Sequence, residues 1–342
     1  MKQLKTIVAL IAGLFAFTSV QAGEMTVSGS MQATYQSEVD DVTGNPLGLN
    51  TDLSFKGSVD TDFGTATMSL ATDGTFLGDS GADHTYSLAT DMGTFTIGNA
   101  GDSANAVDDI TPTAFEEANG SGSGTYSTDF GSGMDGSMSL KYGNSDVMGT
   151  GISVSYSYYP KLDGKTNNEK SASAANDSAK KSAQSMNVGI PLSGVPVLGD
   201  SPLGGAKITL GYEKSDGMSS EFQPKEGGTV AVVLPVGPLS VGYQKKAYAP
   251  VATANATKTF YKDDIYGVAY AINDDLAISW NVYQSDQHNN DGTNTEQETK
   301  SLNIAYTVGG LTLGFADAKT SNAAYTAASD DDTRTFSIKT AF

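Results

Sequence analysis

Leu302-Asn303-Ile304-Ala305-Tyr306-Thr307-Val308 alternates large apolar side chains with small or polar ones, without a break. Ile152-Ser153-Val154-Ser155-Tyr156-Ser157-Tyr158 repeats the pattern, as does Leu276-Ala277-Ile278-Ser279-Trp280-Asn281-Val282. Ile208, Leu210 and Tyr212 alternate in the same way with Thr209 and Gly211. Successive side chains of a strand point to opposite faces, so a period of two means strands with one apolar face each. A soluble sandwich would bury that face and set charge on the other. Here the second face carries Ser, Thr, Gly, Asn and Ala, which suits a sheet whose polar side lines water.

Turn residues separate these strands, and the connections alternate in length. Short ones fall at Asp60–Gly64, Asp91–Gly93, Asn144–Gly149, Pro235–Pro238, Asn273–Asp275 and Gly309–Gly310. Long polar ones fall at Ser37–Gly48, Gly74–Asp83, Asn99–Gly136, Pro160–Ala183, Ser215–Gly227, Ala247–Lys258, Asp286–Gln297 and Ala318–Asp332. Leu192–Gly205 is longer than its neighbours but sits where a short turn is due. Eight long and seven short connections require sixteen strands, with both ends of the sheet on the short-turn side. The expectation is an all-β fold: a 16-stranded antiparallel transmembrane barrel with short periplasmic turns and long external loops. Closure matters physically, because hydrocarbon offers no partner to an unpaired backbone N–H or C=O.

Composition agrees. The 342 residues include 39 Gly, 16 Tyr and 13 Phe, with 20 basic against 39 acidic side chains. A net charge of −19 argues against a nucleic-acid partner, which needs a basic face. The absence of Cys excludes a disulfide scaffold, thiol catalysis and thiolate metal sites. Met1–Ala22 reads as a cleaved secretory signal: Lys2 and Lys5, the apolar run Ile7–Phe17, then Val20-Gln21-Ala22. Residues 23–342 would form a single barrel domain.

Aromatic residues end the apolar stripes at both rims, with Tyr35, Tyr212 and Tyr243 at the outer ends and Tyr142, Tyr270 and Phe342 at the inner ends. Such girdles place a ring in the apolar band with its polar tip at the headgroups. The final strand, Phe336-Ser337-Ile338-Lys339-Thr340-Ala341-Phe342, ends on Phe with alternating apolar partners and so resembles the assembly-recognition signal of outer-membrane β-barrel proteins.

With these features the chain resembles the general porins of Gram-negative bacteria, particularly the alphaproteobacterial type. The resemblance rests on the signal segment, the strand count, Phe342, and the long third loop that follows Thr94-Phe95-Thr96-Ile97-Gly98-Asn99. It implies an outer-membrane homotrimer of diffusion pores, each with its third loop folded into the lumen as a constriction. Such porins set arginines on the wall facing that loop, whereas Arg334 is the only arginine here and lies near the eighth loop. The lumen-facing basic candidates are lysines instead, Lys56, Lys141, Lys207 and Lys339, and a mobile ammonium is not interchangeable with a planar guanidinium fork.

The third loop carries Asp102, Asp108, Asp109, Glu116, Glu117, Asp129 and Asp135 and no basic residue. Carboxylates around a narrow aqueous passage attract cations and repel anions. The expected function is therefore passage of small hydrophilic solutes and ions across the outer membrane, with weak cation selectivity set by Asp102, Asp108, Asp109, Glu116 and Glu117. The other readings are a substrate-specific channel and a plugged structural or adhesive barrel. Small inward residues favour an open lumen, and the two clear inward aromatics, Tyr159 and Tyr283, are too few for a sugar slide.

Catalysis is not expected, since the two histidines, His84 and His288, stand apart and no Ser has a nucleophile-elbow context. Gly120-Ser121-Gly122-Ser123-Gly124 lacks the Lys of a phosphate loop. Gln287-His288-Asn289-Asn290-Asp291-Gly292, with Glu298, partly matches a calcium loop, but begins on Gln between strands. No cofactor is expected. Loosely held divalent cations such as calcium among acidic outer loops, Asp330-Asp331-Asp332 included, would bridge to lipopolysaccharide.

Overall fold

The computed structural model describes residues 24–38, 45–72, 83–99, 101–116, 118, 134, 137–162, 182–195, 199, 201–215, 225–249 and 258–342. The expected signal Met1–Ala22 lies outside them, as do Glu117, Asp129 and Asp135.

Sixteen antiparallel strands follow one another around a closed barrel. They are β1 (Glu24–Glu38), β2 (Leu47–Thr61), β3 (Gly64–Thr72), β4 (Asp83–Thr90), β5 (Gly93–Gly98), β6 (Ser139–Asn144), β7 (Ser153–Tyr159) and β8 (Ala183–Pro191). The second half is β9 (Lys207–Ser215), β10 (Glu226–Val236), β11 (Leu239–Ala249), β12 (Lys258–Ala271), β13 (Leu276–Asn289), β14 (Asn294–Val308), β15 (Leu311–Ser321) and β16 (Asp331–Ala341). β16 pairs with β1 from Ala341↔Ser30 to Thr333↔Glu38, so the sheet has no edge. Phe342 completes the seam: its N–H and C=O each pair with Gly29 at 2.9 Å.

Side-chain parity is fixed by polar contacts across the inner face. Ser30 Oγ donates to Asp52 Oδ2 at 2.9 Å, and Gln32 Nε2 donates to Ser337 Oγ at 2.9 Å. The intervening residues of β1 point outward, and Met25 there is 76% exposed. Leu49, Met68, Trp280, Leu302 and Ile338 likewise stand exposed on the outer face. Among the described residues no central apolar core buries them, which is the arrangement hydrocarbon stabilises. Gly309 and Gly310, with φ of 57° and 83°, make the tight Gly-Gly turn that only left-handed backbone permits.

Two long connections are shorter than the sequence suggests. The polar run Asp286–Gln297 is mostly strand, with Asp286↔Glu296 and His288↔Asn294 still paired. Polarity does not end a strand whose backbone ladder continues into water. The eighth loop likewise begins only after Ser321. This removes the calcium-loop reading: Gln287 faces inward, Glu298 faces outward beside Gln284, and Asp291 accepts from the N–H and hydroxyl of Thr293. His288 is a strand residue stacked on Phe260, with centroids 4.1 Å apart.

Toward the loop end of β11–β16 the outer face changes from apolar to charged. Lys245 pairs with Asp264 at 2.8 Å, Lys319 with Asp332 at 3.2 Å, and Arg334 with Asp317 at 3.1 Å. Lys300 bonds Glu298 in the same row. The one arginine is therefore outside the lumen.

Candidate functional site

The connection after β5 turns back inside the barrel. Ser103 N–H donates to Ser185 Oγ at 3.0 Å, and its hydroxyl lies 2.8 Å from Ser157 Oγ. Farther on, Gln244 Nε2 donates to the carbonyls of Val107 at 2.9 Å and Asp108 at 2.6 Å, while its Oε1 accepts from Ile110 N–H at 3.0 Å. Asn281 Nδ2 donates to Pro112 O at 2.8 Å, Ala114 N–H donates to Ser279 Oγ at 2.9 Å, and Glu116 N–H donates to Asn303 Oδ1 at 3.3 Å. Inner-face side chains of β7, β8, β11, β13 and β14 thus satisfy the backbone of a segment with no ladder of its own.

Glycines let it lie close. A Cβ at Gly242 would meet Pro112 Cδ at 2.3 Å, one at Gly267 would meet Pro112 O at 2.6 Å, and one at Gly314 would meet the Phe115 ring at 2.4 Å. These three inner positions on β11, β12 and β15 form a trough. Among the described residues, the inner faces of β16 and β1–β5 receive none of these anchoring contacts.

Farther along β11 and β12 from Gly242 and Gly267, Lys246 Nζ lies 3.0 Å from Asp108, 3.3 Å from Asp109 and 3.8 Å from Asp263. The Lys246 and Asp263 side chains are fully buried. Among the described residues three carboxylates surround this one ammonium, which gives the cluster an excess of negative charge. Burial, together with Asp109 and Asp263, pushes the Asp108 carboxyl up to about 7, against the pull of Lys246.

The network continues to the eighth loop. Tyr283 OH and Ser285 Oγ both donate to Asp263, at 3.0 and 2.6 Å, and Ser285 Oγ lies 2.6 Å from Tyr325 OH. Tyr325, in the short turn Ala323–Tyr325, packs with Tyr248 and Tyr261. Burial pushes its phenol well above the usual tyrosine range. Inward aromatics are therefore more numerous than Tyr159 and Tyr283, but all five are buried against neighbours. They brace the loops rather than line a path.

The sequence-derived site residues separate into groups. Asp108 and Asp109 join the Lys246 cluster. Glu116 is half-buried at the end of the stretch 101–116, against β14, and Glu117 lies outside the described residues. Asp102 is a correction: it is 2% exposed and accepts from the N–H groups of Ala104 and Asn105 at 2.6 and 2.9 Å, so it caps a turn and does not face the lumen. Lys56, Lys141, Lys207 and Lys339 all have inner-face parity, opposite Ser69, Ser157, Val233 and Gln32. Among the described residues none of the four forms an ion pair. Sequence reasoning missed Lys246 and Gln244, although the parity of Val241 and Tyr243 places both inward. It also missed the glycine trough, for which the sequence offers no signal.

A family profile described as Gram-negative porin matches residues 7–322. The chain belongs to the Gram-negative porin family. This porin is accordingly a channel-forming β-barrel of the outer membrane; the match is to the family as a whole and does not single out the alphaproteobacterial type. Its fold is shared with an in-vitro folded OmpT from Vibrio cholerae in trimer form, at 11% identity and a TM-score of 0.66, covering 94% of this chain and 100% of that one. A Salmonella typhi OmpF in complex with daunomycin gives 12%, 0.62, and 94% and 98% coverage. A mutant of the Rh. blastica porin gives 12%, 0.60, and 93% and 100%. No curated protein sequence matches the chain.

Proposed function

We propose that this porin is a diffusion channel for small hydrophilic solutes and ions, weakly cation-selective, with the third loop as its constriction. The observation that carries the reading is the cluster of Asp108, Asp109 and Asp263 around the single ammonium of Lys246, on a loop held inside the barrel. Charge in a narrow water-filled passage with low-dielectric walls is screened less than charge on outer loops. Lys56 and Lys339 on the bare wall, with Lys141 and Lys207, temper the field without cancelling it. The barrel assembles as a homotrimer, a reading supported by the V. cholerae OmpT structure of the same fold, which is described as a trimer form. The charged outer row of β11–β16 meets lipopolysaccharide headgroups, directly or through loosely bound divalent cations, and Phe342 serves the barrel-assembly machinery.

The test is single-channel conductance and reversal potential in planar bilayers. Neutralising Asp108, Asp109, Glu116 and Glu117 together shifts the reversal potential toward anions. Neutralising Asp330, Asp331 and Asp332 at the rim shifts it much less, since Asp332 pairs with Lys319 on the outer face. Equal shifts would remove the third loop as the constriction, and absence of conductance would favour a plugged structural barrel.

A further inference from the structure

We propose that the recess between the third loop and β7–β10 is a binding site for a small amphipathic anion, a carboxylate bearing a compact apolar body. The recess has a volume of about 370 Å3, within the range of small-molecule sites. Val107 and Ile110 of the loop form one side, Val233 and Pro235 of β10 the other, and Lys207 and Asn187 stand beside them. Most inner-face positions elsewhere carry Ser, Thr, Asn, Gln or a small residue. Val233 and Pro235 break that rule by parity, opposite Lys207 and Ser240 respectively, and Pro235 is exposed.

Lys207 is the recess's charge. Lys246 and Lys225 on the inner wall are buried against Asp108 and Glu213, whereas Lys207 meets no carboxylate among the described residues. Its position is built. A Cβ at residue 189 would fall 2.6 Å from Lys207 Cε, 3.0 Å from its Nζ and 2.5 Å from Ser153 Oγ, so Gly189 gives the lysine stem its seat against the wall. Lys207 is exposed, and an ammonium beside an apolar surface selects a ligand that offers both a charge-assisted hydrogen bond and area to bury. Acetate supplies only the first and a neutral aromatic amide only the second. The site does not depend on the pore's ion preference.

The experiment is calorimetric titration of the folded, detergent-solubilised barrel with 4-phenylbutyrate, against a micelle blank. One site per chain is expected, with acetate and 4-phenylbutyramide each binding at least about tenfold more weakly. Lys207→Gln and Ile110→Ser each lower the affinity by about tenfold, while Lys319→Gln on the outer face leaves it unchanged. Ile110 lies outside the sheet, so its variant carries the test if Lys207→Gln does not fold. Binding undetectable in the unsubstituted protein, equal affinity for acetate, or an Ile110→Ser barrel that binds as tightly as the unsubstituted one overturns the proposal.

Discussion

Asp108 sits 3.0 Å from an ammonium and still holds its proton up to about pH 7. An ion pair alone would lower a carboxyl pKa. Here desolvation and two neighbouring carboxylates outweigh Lys246, as expected when like charges crowd one cation. The sign follows directly. The carboxyl is ionised above about 7 and neutral below it, so each cluster loses one negative charge as pH falls through that value. Cation preference, read as reversal potential in a salt gradient, should decline between about pH 8 and about pH 6, where an ordinary aspartate is already fully ionised and stays so. Asp108→Asn should flatten that step. A step that persists in the Asp108→Asn barrel would assign the titration to another group.

At the scale of elements, the third loop is placed by what the strands lack as much as by what they carry. Gln244, Ser279, Asn281 and Asn303 supply its hydrogen bonds, and Gly242, Gly267 and Gly314 supply its clearance. At Gly267 an added Cβ would meet Pro112 O at 2.6 Å and Thr111 Cβ at 2.9 Å. Both contacts are to the loop, and Asn281 Nδ2 closes the third side at 2.9 Å. Gly267→Val should therefore push the loop off the wall and into the lumen. The expected result is lower single-channel conductance from a barrel of unchanged strand content, with a stability loss of about 1–3 kcal/mol. Unchanged conductance would show that the loop can slide along the trough without narrowing the passage.

At the scale of the whole molecule, closure depends on the last residue in two separable ways. The Phe342 backbone pairs with Gly29, while its side chain remains 70% exposed at the turn end. The ring's tip lies over Gly29, where a Cβ would meet Phe342 Cζ at 2.6 Å, and the rest of it stays open to whatever inserts the barrel. Deleting Phe342, or replacing it with Asp, should reduce the amount of heat-modifiable barrel in the outer-membrane fraction and leave export to the periplasm intact. Normal outer-membrane yield from the deletion would remove that role. Barrel closure also shows how far parity reasoning extends. The stripe Met25, Val27, Met31, Ala33 and Tyr35 lies outward and Ser30 and Gln32 lie inward, because one residue of slip would turn every apolar side chain into water.

The sequence by itself determined the strand period, the even strand count and the closed antiparallel sheet. These follow from local rules, since a strand's two faces alternate wherever it is and a closed sheet in hydrocarbon must pair every backbone group. Strand ends in water were harder to read, as β13 and β14 showed, because neither lipid nor polarity marks where the ladder stops. Only the tertiary structure decided what the third loop touches. Asp102 became a turn cap, Asp108 and Asp109 met Lys246, and Gly189 seated Lys207. Those contacts join residues of low local signal that lie far apart in the chain, and their energies come from burial and proximity, which no periodicity encodes.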